Sequence, residues 1–298
     1  MEKPRTARLL HQLLVLYQRV ALYKIRDVRQ PAQQTFEYRI EEIMAIAPTS
    51  KQANVLVVGA NGGIGLGFVK ALLNDDSIQT LFATYRSPES AEELLSLEAE
   101  SPQLKCLKLD ITEEEQVVQA IAQISAAVPN LHWVINCVGI LHEGDLQPEK
   151  SLRQINADQL MRYFQVNSIG AVLLAKHLMP LFKHGDRSVF ATVSAKIGSI
   201  EDNYLGGWYG YRASKAALNM LMKTTSIEYS RRCPKTIITL LHPGTTDTQL
   251  SKPFQRNVPA DKLFSVERTV SQLMDIIQNL TFKDNGSFFS WDGSPLPW

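Results

Sequence analysis

Short runs of apolar and β-branched residues punctuate the chain beyond Ser50. They fall at Val55 to Val58, Thr80 to Thr84, Leu104 to Leu109, Trp133 to Asn136, Ser188 to Val193, Ile237 to Leu241 and Gly286 to Trp291. Each is too short for a helix, and continuously apolar runs such as Val55 to Val58 imply burial on both faces, so the pattern predicts seven strands in a sheet covered on both sides. The longer intervals carry apolar residues at helical spacing, as in Phe68 to Leu73. Strand and helix in alternation is the signature of βαβ units. The predicted fold class is α/β: a doubly wound parallel sheet of seven strands in three layers, helices covering both faces. No internal repeat or low-complexity segment interrupts it.

The first fifty residues follow a different pattern. From Lys3 to Arg26 there are six basic and no acidic side chains. Leu9, Leu13, Leu16 or Tyr17 and Val20 recur at helical spacing, which predicts a basic amphipathic helix. Residues 1–50 are therefore expected to form an extension outside the core, with the domain occupying 51–298. His11 and Gln12 interrupt any signal-peptide core, and Ala45-Ile46-Ala47 lies too far downstream for its cleavage site. A mitochondrial leader is normally rich in serine, and none precedes Ser50.

Composition narrows the function classes. Over 298 residues, 45% are hydrophobic and 20% charged, and 31 Lys and Arg against 30 Asp and Glu leave a net charge of +1. That balance supplies no footprint for nucleic acid. The longest apolar runs fall well short of the ~20 residues of a membrane span. Cys106, Cys137 and Cys233 are odd in number and scattered, giving neither a disulfide framework nor a metal site; a reducing, cytoplasmic compartment is expected. His177 and His242 lack partners at ligand spacing and read as structural, so no metal is expected.

Candidate chemistry begins after the first predicted strand, in Gly59-Ala60-Asn61-Gly62-Gly63-Ile64-Gly65-Leu66-Gly67. Strand, glycine-rich turn and helix is the context in which a backbone approaches a pyrophosphate and a helix N-terminus offers unpaired N–H groups. The spacing is G-x-x-x-G-x-G rather than the commoner G-x-G-x-x-G. Arg86 ends the second strand, where a side chain meets the adenosine ribose. A guanidinium there pairs with a 2′-phosphate, so the expected cofactor is NADP(H) rather than NAD(H). Asp110 and Ile111 close the third strand, placed for the adenine amino group and ring. Tyr211 and Lys215 stand four apart on one helical face. A nearby cation is expected to lower the phenol's pKa and make it a usable acid and base. Ser194, ending the fifth strand, could hold a carbonyl oxygen.

These motifs occur in an order, completed by Asn136-Cys137-Val138-Gly139, Asn167 and Pro243-Gly244, that resembles the short-chain dehydrogenase/reductase superfamily over residues 53 to 298. The run "GSIEDNYLGGWYGYRASKAALN" and the ending "FFSWDG" resemble its carbonyl-reductase subgroup, which includes the C-factor signalling proteins. The resemblance implies a Rossmann fold and an NADP(H)-dependent oxidoreductase reducing a carbonyl to an alcohol. In it Tyr211 is the acid/base, Lys215 holds the ribose hydroxyls, Ser194 orients the carbonyl and Asn167 anchors a relay water. It further implies cofactor contacts at Gly59, Asn61, Gly63, Ile64, Gly65, Asn136 and Gly139. Pro243, Gly244, Thr246 and Thr248 are expected against the nicotinamide carboxamide, beneath an apolar lid from Gln249 to Phe264. Small or medium carbonyl substrates and a homodimer or homotetramer are expected; a non-enzymatic nucleotide-binding signalling protein on the same fold is the alternative.

Two positions depart from the family's pattern. Ser194 precedes Tyr211 by 17 positions, more than is common, so the intervening loop with Gly206 and Gly207 carries an insertion. The family often has two serines at the strand end with the second catalytic, and here the second place is Ala195. Ser194 is the expected catalytic serine, with Ser199 as the fallback.

Overall fold

The computed structural model describes residues 52–298. The expected extension at 1–50, with its stripe from Leu9 to Val20, lies outside the described residues. Beyond it the chain forms β1 (Ala53–Val58), α1 (Gly63–Leu73), β2 (Ile78–Tyr85), α2 (Glu92–Glu100), β3 (Leu104–Lys108), α3 (Glu114–Ala127) and β4 (Trp133–Asn136). Then come α4 (Ala157–Phe164), a π-helical turn (Gln165–Ile169), α5 (Gly170–Leu178), β5 (Ser188–Val193), α6 (Tyr209–Arg232) and β6 (Thr236–His242). A small pair, β7 (Thr245–Thr246) and β8 (Leu263–Phe264), precedes α7 (Val266–Asn279) and β9 (Ser287–Ser290).

All seven predicted strands are present and pair in parallel in the order β3-β2-β1-β4-β5-β6-β9. Each apolar run alternates its side chains between the two faces, which is why both need covering. On one face Leu56, Phe82, Val134, Phe190 and Ile238 pack against Ile121 of α3, Leu174 of α5 and Met222 of α6. On the other, Val55, Val57, Leu81, Ile135 and Ile237 pack against Phe68 of α1, Leu94 of α2 and Leu273 of α7. The result is the three-layer, doubly wound α/β architecture that continuous apolar strands require.

The chain builds outward from β1 to β3, then returns to place β4 on the other side of β1, with Val58 opposite Asn136. At that reversal the loops leaving the two strands diverge and open a crevice at the carboxyl edge of the sheet. The pair β7 and β8 was not expected, because two-residue strands carry no periodicity. Among the described residues, no helix is long and apolar enough to cross a membrane.

Candidate functional site

The crevice beside β1 is shaped by glycines with distinct duties. Gly59 sits at φ +75°, a left-handed conformation that a Cβ disfavours. A Cβ on Gly65 would lie 2.0 Å from the Gly59 carbonyl oxygen, so the turn closes only on a bare backbone. Thr84, which the hydrophobic pattern did not single out, pins this turn: its Oγ1 accepts from the Gly59 N–H at 3.1 Å and its carbonyl from the Ala60 N–H at 2.7 Å. Helix α1 begins at Gly63 with no acidic residue in its first turn, leaving a helix N-terminus suited to an anion. Ile64 lies in that turn and packs against the core.

From this turn a cleft of about 320 Å³ runs along the sheet edge, lined among others by Asn61, Arg86, Asp110, Ile111 and Gly139. Asn61 Nδ2 donates to Ser90 Oγ at 3.1 Å. The Asp110 carboxylate closes a local turn, accepting from the Thr112 N–H at 2.9 Å and its hydroxyl at 2.7 Å. Asn136 Oδ1 accepts from the Val138 N–H at 3.1 Å and so shapes the exit from β4. Arg86 is not free in solvent: its Nη2 lies 2.8 Å from Oε1 of Glu143. Arg162 of α4 donates to the other Glu143 oxygen through Nε and Nη2, at 3.1 and 2.9 Å. Partial burial opposes the Glu143 charge, but the two guanidiniums outweigh it and hold its pKa below the usual carboxylate range. A glycine cradle at a helix N-terminus, a guanidinium at the end of β2 and a cleft joining them fit a phosphorylated dinucleotide.

Tyr211 and Lys215 project from α6, both buried. Lys215 Nζ donates to the Val193 carbonyl at 3.2 Å and lies 5.9 Å from the Tyr211 ring centroid. A Cβ on Gly139 would come within 3.3 Å of Nζ, so glycine there lets the ammonium reach the cleft floor. The expected lowering of the Tyr211 pKa is corrected by the structure: burial pushes the phenol above its ordinary range. Burial also lowers Lys215 to about 8. In both groups desolvation is the largest cause of the shift.

Asn167 sits in the π turn between α4 and α5. Its Oδ1 accepts from the Ile140 N–H at 2.7 Å, and its Nδ2 donates to the Ile140 carbonyl and to Ser214 Oγ, both at 3.0 Å. The side chain therefore ties the β4 loop to α6 one residue before Lys215, and is fully used in doing so. π turns recur at functional sites because the widened helix frees backbone groups.

Ser194 directly follows β5. Its hydroxyl is buried and donates to Asn219 Oδ1 at 2.7 Å. The extended backbone of Ala195 turns the next side chain the other way, and it is Ala195 that packs against the cluster of Leu141, Leu146, Tyr163 and Tyr211. Ser199 is engaged elsewhere, donating to the Trp298 carbonyl at 3.2 Å. Thr246 is likewise turned inward, its hydroxyl 2.8 Å from Thr269 Oγ1 of α7. Thr248 does reach the glycine turn, where a Cβ on Gly63 would meet its methyl at 3.1 Å. Pro243 and Gly244 make the turn after β6, and a Cβ on Gly244 would strike the Phe264 ring at 2.5 Å. Phe264 is thus buried beneath this turn, while Leu250 and Phe254 from the same segment pack toward Tyr211.

Two groups that sequence reasoning missed organise the start of α6. Trp208, at φ +51°, stands edge-on to Tyr211 at 6.2 Å and to Phe254 at 4.9 Å between ring centroids. Glu149 is buried, and its Oε2 accepts from the Gly210 N–H at 3.1 Å, capping α6 from a distant segment. The contacts of Trp208 with Phe254 and of Glu149 with Gly210 join residues far apart in sequence and leave no local signal. Of the remaining expectations, Cys137 is a packed thiol pushed up to about 12 by burial. His177 pairs with Glu114 at 2.7 Å. Burial holds His242 neutral, down to about 4. Among the described residues no group of three or more His, Cys, Asp and Glu could hold a metal ion.

The family model described as short chain dehydrogenase matches residues 53–259. An uncharacterized oxidoreductase of Schizosaccharomyces pombe is 30% identical over 254 residues, covering 81% of this chain and 96% of its own. The C-signal of Myxococcus xanthus is 30% identical over 149 residues, half of this chain and 84% of that one. Among solved structures, the NADPH-bound carbonyl reductase from chicken fatty liver is 30% identical with a TM-score of 0.75, covering 83% of this chain and 99% of that one.

Proposed function

The chain belongs to the short-chain dehydrogenase family, and on that premise we propose that it is an NADP(H)-dependent reductase converting a carbonyl to an alcohol, with Tyr211 as proton donor. The observation that carries this reading is the buried pair Tyr211 and Lys215, one helical turn apart, whose ammonium approaches Gly139 in the lining of the cleft that also holds the glycine turn and Arg86. A pure binding module has no use for a desolvated phenol beside an ammonium.

The cofactor, when bound, supplies the hydride that the carbonyl carbon takes up. The protein supplies the proton: the Tyr211 O–H bond breaks as the carbonyl oxygen gains its hydrogen. Lys215 steadies the phenolate left behind and, through the same ammonium, would hold the ribose hydroxyls of a bound cofactor beside Gly139. Asn167 keeps Ile140 and Ser214 in place, and the family resemblance gives it the relay water. Ser194 does not share the oxyanion, because its hydroxyl is committed to Asn219. Leu141, Leu146, Trp208, Leu250 and Phe254 make an apolar wall around Tyr211, which favours small or medium carbonyl compounds with apolar substituents over charged sugars. The three free cysteines suit a reducing, cytoplasmic compartment.

Tyr211→Phe tests this directly. It keeps the ring and removes the proton, so NADPH affinity should persist while reduction of a carbonyl panel falls ~10²-fold or more. Full activity in that variant refutes the mechanism. An unmodified protein that binds NADPH yet reduces no member of the panel favours a nucleotide-binding signalling role instead.

A further inference from the structure

The ion pair between Arg86 and Glu143 joins a residue that lines the cleft to the loop after β4. Arg86 follows β2, on the side of the glycine turn, while Glu143 belongs to a tight turn after β4. That turn is closed by two backbone bonds, Glu143 N–H to the Leu146 carbonyl at 3.2 Å and Leu146 N–H to the Glu143 carbonyl at 3.0 Å. Gly144 supplies the positive φ, +56°, that it needs. The two residues flanking the turn, Leu141 and Leu146, are buried against Tyr163 and Tyr211, and the Tyr163 hydroxyl donates to the Leu141 carbonyl at 2.7 Å. One short turn thus touches the guanidinium on one side and the tyrosine pocket on the other.

The carboxylate has two cationic partners of unequal kind. Arg162 binds one oxygen through two N–H groups, while Arg86 binds the other through a single contact. A phosphate monoester carries more charge than a carboxylate and three acceptor oxygens. It would outcompete Glu143 for Arg86 and leave Glu143 held by Arg162. A nucleotide without that phosphate has no group to make the exchange.

We propose that Glu143 is a cofactor-specificity residue: it occupies Arg86 in place of a 2′-phosphate, and its displacement by that phosphate unties the turn 141–146 from Arg86 while Arg162 keeps its hold on Glu143. This rests on the reading of the cleft as an NADP(H) site. It reverses the simple expectation for an acidic residue on Arg86, since Glu143 lowers affinity for the phosphorylated nucleotide instead of positioning the guanidinium for it. The pair is half-exposed, so the competition is modest, about two- to fivefold on the scale of exposed ion pairs.

The test uses the full-length protein titrated calorimetrically with 2′,5′-ADP and 5′-AMP at fixed ionic strength, together with hydrogen exchange of the turn. Glu143→Gln should bind 2′,5′-ADP about two- to fivefold tighter with 5′-AMP unchanged. In the unmodified protein, 2′,5′-ADP but not 5′-AMP should speed amide exchange at Glu143 and Leu146. Arg162→Gln, which leaves Arg86 as the sole guanidinium on Glu143, should bind 2′,5′-ADP more weakly and provides the second arm if Glu143→Gln fails to fold. The inference is overturned if Glu143→Gln binds 2′,5′-ADP no tighter than the unmodified protein while Arg86→Ala loses the preference for it, the NADP(H) reading then standing. If the unmodified protein and Arg86→Ala both bind the two nucleotides alike, the cofactor reading fails and takes the inference with it.

Discussion

At the residue scale, neighbouring side chains at the end of β5 divide the work by simple alternation. Ser194 spends its hydroxyl on Asn219, and Ala195 presents a methyl to the cluster around Tyr211. Ser194→Ala should therefore leave the reduction rate within about twofold while costing ~1–3 kcal/mol of stability, because Asn219 Oδ1 loses its buried donor. Ala195→Ser places a hydroxyl on the Tyr211 side, and one added neutral hydrogen bond to the developing oxyanion is worth about 1 kcal/mol, a several-fold rise in kcat/KM. The opposite ranking of the two variants in steady-state kinetics restores Ser194 to the mechanism. Lys215 makes a pH prediction: with its pKa lowered to about 8, it is an ammonium below that pH and neutral above it. Reduction at saturating cofactor should fall as pH rises through about 8, and Lys215→Arg should extend the plateau, since a guanidinium stays charged. A profile flat to pH 10 in the unmodified protein contradicts this.

At the element scale, α6 matters because its first turn carries the chemistry and its start is fixed from outside. Gly206 and Gly207, at φ +66° and +65°, and then Trp208 at +51° turn the inserted loop back onto the helix, and Glu149 receives the Gly210 N–H one residue before Tyr211. Removing that acceptor should loosen the first turn. Glu149→Ala is expected to lower kcat by about an order of magnitude with little change in cofactor affinity, and to destabilise the fold by ~1–3 kcal/mol. Glu149→Gln should recover most of both, since an amide oxygen accepts equally from Gly210. Paired melting curves and kinetics check this; loss of cofactor affinity in step with kcat would point to collapse of the whole site.

At the scale of the whole molecule, every cofactor-cleft and catalytic residue follows Ala53, the first residue of β1, and both faces of the sheet are covered by helices from the described part of the chain. Deleting residues 1–43 should leave folding and NADPH binding intact, measured by melting temperature and titration; an insoluble truncated chain would assign the amphipathic stripe from Leu9 to Val20 a structural role. The strands were legible because their signal is local: short apolar and β-branched runs such as Val55 to Val58, bounded by turns, recur between helical stretches. The glycine turn, Arg86, Tyr211 and Lys215 were legible for a related reason, since each stands at a fixed offset from a strand end or along one helix. Three features were decided only by tertiary structure. Ser194 and Ala195 are equivalent on paper until β5 pairs with β6 and α6 packs over one face, which assigns the hydroxyl to Asn219. Burial, set by residues distant in the chain, raises the Tyr211 pKa. Glu143 and Glu149 lie 57 and 61 positions from Arg86 and Gly210 respectively, and no local pattern reports a contact that exists only once the sheet has brought its loops together at one edge.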